Sequence, residues 1–141
     1  MKDLLWISGE IEGDVYDNYR LARNEVEPTI NTSLKGTHYG RGFSRLCLIP
    51  MIFGPNSPDY YNEIRRYHKK DKDFEFRLKI PYAEFKAADA LGQRRLLMEN
   101  ILRAVDEMKK MRTKDVEVDK LERAIREVAA AHDWLPATRS N

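Results

Sequence analysis

The stretch Phe74-Glu75-Phe76-Arg77-Leu78-Lys79-Ile80 does most to limit what this chain can fold into. Apolar side chains at every second position, with charges between them, fit a β-strand that has one buried face and one wet face. A helix cannot use that period, because its neighbours on one face recur every three or four residues. The chain must therefore build a sheet, and something apolar must cover one side of it. Residues 43–53, Phe-Ser-Arg-Leu-Cys-Leu-Ile-Pro-Met-Ile-Phe, are almost continuously apolar from Leu46. Such a run predicts a strand covered on both faces for part of its length. Pro50 has no N–H to give to a ladder, so a bulge or an edge position is expected there.

The remaining elements follow from period and punctuation. Residues 4–11 read as a strand, with Leu5, Ile7 and Ile11 on one side and Leu4, Trp6, Ser8 and Glu10 on the other. Asp14 fits a helix N-cap, and Val15, Tyr19, Ala22, Val26, Ile30 and Leu34 then form one helical stripe that ends before Gly36. Pro28 lies inside that stripe and predicts a kink. Gly54 to Asp59 is a loop by composition, and Glu63 to Lys70 is a strand with a basic end. Pro81 opens a short helix over 82–88. Asp89 caps a longer one carrying Leu97, Ile101, Ala104, Val105, Met108 and Met111, and a last helix from about Asp119 carries Leu121, Ile125 and Val128. Strand, helix, three strands, then helices predicts an α+β fold. The expected form is a four-stranded, mostly antiparallel sheet with helices packed on one face. One domain spans residues 1–141, with a tail frayed from about residue 134.

Several function classes drop out. The single cysteine, Cys47, cannot form an internal disulfide, sits in an apolar run, and reads as a packed core thiol. No residue set has zinc-site spacing. The first ten residues meet acids too early for a secretory signal, and no apolar run approaches the roughly 18 residues of a membrane helix. These features predict a soluble cytoplasmic protein. No phosphate-cradling motif is present, and Gly36-Thr37-His38-Tyr39-Gly40-Arg41-Gly42 lacks the strand-before, helix-after context one needs, so its glycines read as turn residues.

Charge is near balance, with 25 Lys plus Arg against 23 Asp plus Glu. Its distribution is uneven. Residues 1–35 hold four basic and seven acidic side chains, whereas residues 36–112 hold 16 basic and ten acidic. The carboxylates Glu10, Glu12, Asp14 and Asp17 bunch where the first strand meets the first helix. Their spacing does not match a Ca²⁺ loop, and acids are favoured at a helix N-terminus anyway. A pairing of His38 with His68 would suit acid–base cleavage of RNA, but three histidines in 141 residues is about background. The cluster Arg65-Arg66-Tyr67-His68-Lys69-Lys70, with Tyr60 and Tyr61 nearby, suits phosphate contact and base stacking. It supports an alternative reading as a small RNA-binding or RNA-processing protein. Glu63, Asp71, Asp73 and Glu75 oppose its field, and no nucleic-acid-binding signature accompanies it, so a nucleic-acid partner is not the leading expectation. No catalytic set, cofactor or metal site emerges, which favours a binder over an enzyme.

Several stretches together resemble a known family. Ser8-Gly9-Glu10-Ile11 before an acidic turn, Leu21-Ala22-Arg23-Asn24, Tyr39-Gly40, Ile49-Pro50, and Phe85-Lys86-Ala87-Ala88-Asp89 before a Leu-rich helix are similar to the family of bacterial immunity proteins catalogued as immunity protein forty-four. The similarity runs from about residue 4 to residue 111, and its motifs are structural rather than catalytic. The resemblance implies an antidote of polymorphic-toxin or contact-dependent growth-inhibition systems. Such a protein binds one cognate toxin domain in the cytoplasm and occludes it, with no cofactor and no turnover. A toxin of nuclease type with a cationic groove would be complemented by an acidic patch. Glu10, Glu12, Asp14 and Asp17 are the candidates for that contact, with Tyr60 and Tyr61 as aromatic anchors. Pairing with a second copy, through an edge strand or the Met108/Met111 end, stays open.

Overall fold

A computed structural model describes residues 3–54 and 62–135 of the chain. The elements run β1 (Leu5–Ile7), β2 (Glu10–Ile11), a 3₁₀ turn (Gly13–Val15), α1 (Tyr16–Leu34), β3 (Arg45–Ile52), β4 (Ile64–His68), β5 (Asp73–Lys79), α2 (Tyr82–Ala87), α3 (Ala90–Met111) and α4 (Val118–Ala131). The fold is α+β, as the order of patterns predicts. Among the described residues the sheet has five strands rather than four, in the order β1-β3-β5-β4, with β2 also on β3.

The sheet is mixed, not mostly antiparallel. β1, β2 and β5 all pair with β3 in parallel, and only β4 and β5 run antiparallel. The sequence reading makes consecutive strands neighbours, but β5 inserts between β3 and β4. Side-chain chemistry explains the exchange. β5 turns Phe74, Phe76 and Leu78 toward the helices, and all three are fully buried. The same face of β4 offers only Tyr67 and Arg65. The more apolar strand takes the interior, and the charged one takes the edge, where charge discourages pairing with other chains.

Pro50 lies in the central strand, neither at an edge nor in a bulge, with Leu78 beside it. Leu46 donates to the Leu4 carbonyl, and Ser8 and Glu12 donate to the Leu48 and Ile52 carbonyls, so the backbone groups of even-numbered residues of β3 face β1 and β2. The missing N–H of Pro50 falls on that side, opposite Ser8. Two results follow. The expected 4–11 strand splits into β1 and β2, and the Ser8 carbonyl instead accepts the Tyr19 hydroxyl.

All the helices pack on one face of the sheet. The core joins Leu5, Ile7, Leu46, Leu48, Phe74 and Phe76 to the buried stripes of α1, α3 and α4. α1 runs through Pro28 without a break. Its Asn31 and Glu27 cover the free edge of β1: Asn31 accepts from Leu5 N–H and donates to Leu5 C=O, and Glu27 accepts from Ile7 N–H. Asp89 caps α3 by accepting from Gly92 N–H at 2.7 Å. Asp14 caps nothing, since its side chain turns to Tyr82 and Lys86. Trp134, placed by the sequence at the start of a frayed tail, is only 2% exposed and stacks on His132.

Gly40 and Gly42 do more than turn the chain. Gly40 has φ of +101°, and a Cβ there would lie 2.0 Å from the Asp115 carbonyl oxygen. Gly42 donates to that same oxygen at 2.8 Å. The α3–α4 loop therefore packs backbone to backbone against residues 40–42, an approach that only residues without side chains permit.

Candidate partner-binding face

The sheet face away from the helices carries Trp6 from β1, Glu10 from β2, Arg45, Cys47, Ile49 and Met51 from β3, Asp73, Glu75, Arg77 and Lys79 from β5, and Ile64, Arg66 and His68 from β4. Strand alternation dictates this set once the opposite face is fixed as core. Cys47, Ile49 and Met51 form its centre and lie outside the helix-side core. Beside them Trp6 is 49% exposed, an unusual position for a residue of that size.

Charged side chains strap this face. Arg77 reaches across β3 to Glu10 at 2.7 Å, and Arg45 bonds Asp73 at 3.2 Å while its guanidinium sits 6.0 Å over the Trp6 ring. His68 and Glu75 meet at 2.8 Å. The network leaves bonding capacity unused: Arg45 Nε, Arg77 Nε and Asp73 Oδ1 are buried without a hydrogen-bond partner among the described residues. Burial pushes the Cys47 thiol up, even with Arg45 beside it. It is therefore a neutral packing group and not a nucleophile.

The sequence-predicted carboxylates do not converge. Glu10 is on the open face with Arg77, and Glu12 accepts from Gly54 N–H. The Tyr82 hydroxyl, with desolvation opposing and Lys86 assisting, holds the Asp14 carboxyl below its ordinary value. Asp17 is largely exposed, 4.0 Å from Arg20. Tyr60 and Tyr61 lie outside the described residues. His38 and His68 are not bonded to each other: His38 Nδ1 accepts from Gly40 N–H, and His68 faces Glu75. Among the described residues, no three His, Cys, Asp or Glu side chains are grouped so as to hold a metal ion, and no helix is long and apolar enough to cross a membrane.

The basic 65–70 segment divides by strand parity. Arg65 turns to the helix side, where it meets Glu107 at 2.7 Å and Glu63 at 3.3 Å. Glu63 also binds Arg103 and accepts from Lys79 N–H. Burial alone would raise the Glu63 carboxyl, but Arg103, the Lys79 N–H and the nearby Arg65 outweigh it and hold the group at about 2. Arg66 is exposed on the open face. The residue that sequence reasoning passed over is Trp6. Its signal was present, since alternation places it with Ser8 and Glu10 opposite the apolar row.

The family model for immunity protein 44 matches residues 3–131. No curated protein and no solved structure matches the chain.

Proposed function

Because the chain belongs to the immunity protein 44 family, we propose that it binds one cognate bacterial toxin domain in the cytoplasm and neutralises it by occlusion, without turnover. The target is a nuclease domain in the reading the family resemblance suggests. The observation that carries the proposal is the sheet face that no helix among the described residues covers, with Trp6 half exposed on it and arginines around it. Tryptophan and arginine concentrate binding energy at protein interfaces, particularly around a well-packed apolar centre. Cys47, Ile49 and Met51 are only 8%, 9% and 1% exposed, so the surface a partner meets is Trp6 and the charged side chains lying over them.

Glu10 belongs to this contact as part of a strapped ion pair. The contact is thus of mixed charge around the half-exposed Trp6, not a simple mimic of nucleic acid. Co-expression with the toxin domain encoded beside this chain's gene tests the reading. Cells survive if the chain neutralises that domain. Continued killing, with both proteins present and folded, refutes it.

A further inference from the structure

Three segments far apart in sequence meet at one end of the sheet. The loop 40–44 accepts the Tyr67 hydroxyl at Gly42 C=O, and its Ser44 N–H donates to Lys72 C=O in the β4–β5 turn. The same loop bonds the α3–α4 connection through Gly42 N–H to Asp115 C=O, and Glu117 N–H donates to Tyr39 C=O beside it. This junction gathers Arg41, Lys69, Lys70, Lys72, Arg112 and Lys114, all exposed. None of the six makes a side-chain ion pair or hydrogen bond among the described residues. The acids on these segments are Asp71, Asp115 and Glu117, and Glu117 lies 3.8 Å from Lys120 of α4. Elsewhere the surface arginines and lysines are largely matched, as in Arg45–Asp73, Arg77–Glu10, Arg94–Glu25 and Lys109–Glu122. This pole holds a surplus of unpaired positive charge in a chain whose total is only +2.

We infer that this basic pole docks an acidic surface of the toxin domain, outside any cationic substrate groove, and steers that domain onto the neighbouring sheet face. The inference rests on the toxin-binding reading and adds the chemistry of the partner's contact. Unpaired like charges accelerate encounter with an opposite field and fix orientation more than they add affinity. Continuity supports the assignment, because Arg66 and His68 lead from the open face directly into the Lys69–Lys72 turn. RNA fits this pole less well. Binding of single-stranded nucleic acid needs free aromatic rings for stacking. Here Tyr39 and Phe43 are buried, and Tyr67 packs on Phe74 with its hydroxyl bonded to Gly42.

The test uses the full chain, the toxin domain encoded beside its gene, and a 20-nucleotide RNA as probes. The triple variant K69E/K70E/K114E alters exposed side chains that form no ion pair among the described residues, and circular dichroism verifies its fold. The expected result is an association rate for the toxin domain lowered about tenfold or more in 50 mM salt, with wild type and variant converging in 500 mM salt. Equal rates in low salt overturn the inference and leave the toxin-binding reading standing. RNA binding by wild type that the variant loses, with toxin association unchanged, also overturns it. If wild type forms no complex with the toxin domain, the toxin-binding reading fails and this inference fails with it.

Discussion

Glu63 ties the edge strand to the rest of the molecule, and replacing it with glutamine exposes that tie to measurement. Its carboxylate joins Arg103 on α3, Arg65 on β4 and the backbone of Lys79 on β5. A carboxyl held at about 2 instead of 4.5 binds its proton less readily in the folded chain than in the unfolded one. The difference corresponds to about 3–4 kcal/mol at most. Arg103 and Arg65 are 41% and 36% exposed, so solvent screening lowers the expected value to about 1–2 kcal/mol. The sign follows from linkage. Between about pH 4.5 and pH 2 the unfolded state holds more protons at this site, so the stabilisation is complete above that window and disappears as pH falls through it. The side-chain amide introduced by Glu63→Gln keeps an acceptor for the Lys79 N–H, while its NH2 replaces the oxygen that accepts from Arg103 and Arg65, so the charge and those two bonds are lost together. Urea unfolding of both proteins at steps from pH 7 to pH 2 reads the effect. The variant is expected to be about 1–2 kcal/mol less stable at pH 7, with the two curves meeting near pH 2. Parallel curves over the whole range would refute the reasoning, because the charge would then contribute nothing specific to the folded state.

Trp6→Ala is expected to weaken binding to the toxin domain about 30-fold or more by calorimetry, with folding stability changed by less than about 1 kcal/mol, since the ring is half exposed. Unchanged affinity would remove Trp6 from the contact. Gly40→Ala combines a positive φ with a Cβ 2.0 Å from a backbone oxygen, so urea unfolding should show a loss of about 2–4 kcal/mol. A loss under about 0.5 kcal/mol, the range of ordinary surface changes, would mean the two loops do not pack as described. Asn31→Ala leaves the Leu5 N–H and C=O without partners at the β1 edge, at a cost of about 2–3 kcal/mol. Amide hydrogen exchange at Leu5 should accelerate in that variant, and full protection there would contradict the capping role.

Much of the fold was legible because helices and strands announce themselves through neighbouring residues. The 74–80 alternation, the α1 stripe and the Asp89 cap each depend on side chains a few positions apart, and each element forms where its pattern lies. The continuous apolar run of β3 signalled its burial correctly, with seven of eight residues buried. Less of the candidate site could be read. Trp6 stands in the sequence as the odd aromatic in a polar row, but its importance depends on knowing that no helix among the described residues covers that row. The acidic bunch at residues 10–17 looked like one feature, but Glu10, Glu12 and Asp14 are divided among Arg77, Gly54, Tyr82 and Lys86, partners 42 to 72 positions away, while Asp17 meets Arg20 on its own helix.

By itself the sequence determined the α+β class, the positions of the helices and long strands, and the face of each that turns inward, because periodicity is a local property of the chain. Strand order was decided only in three dimensions, where β5 outcompetes β4 for the place beside β3 by burying more apolar surface. The interruption at Pro50 and the basic pole were settled at the same level. A missing N–H matters only once its would-be partner is known, and charges on three loops add to one field only when the fold brings those loops together.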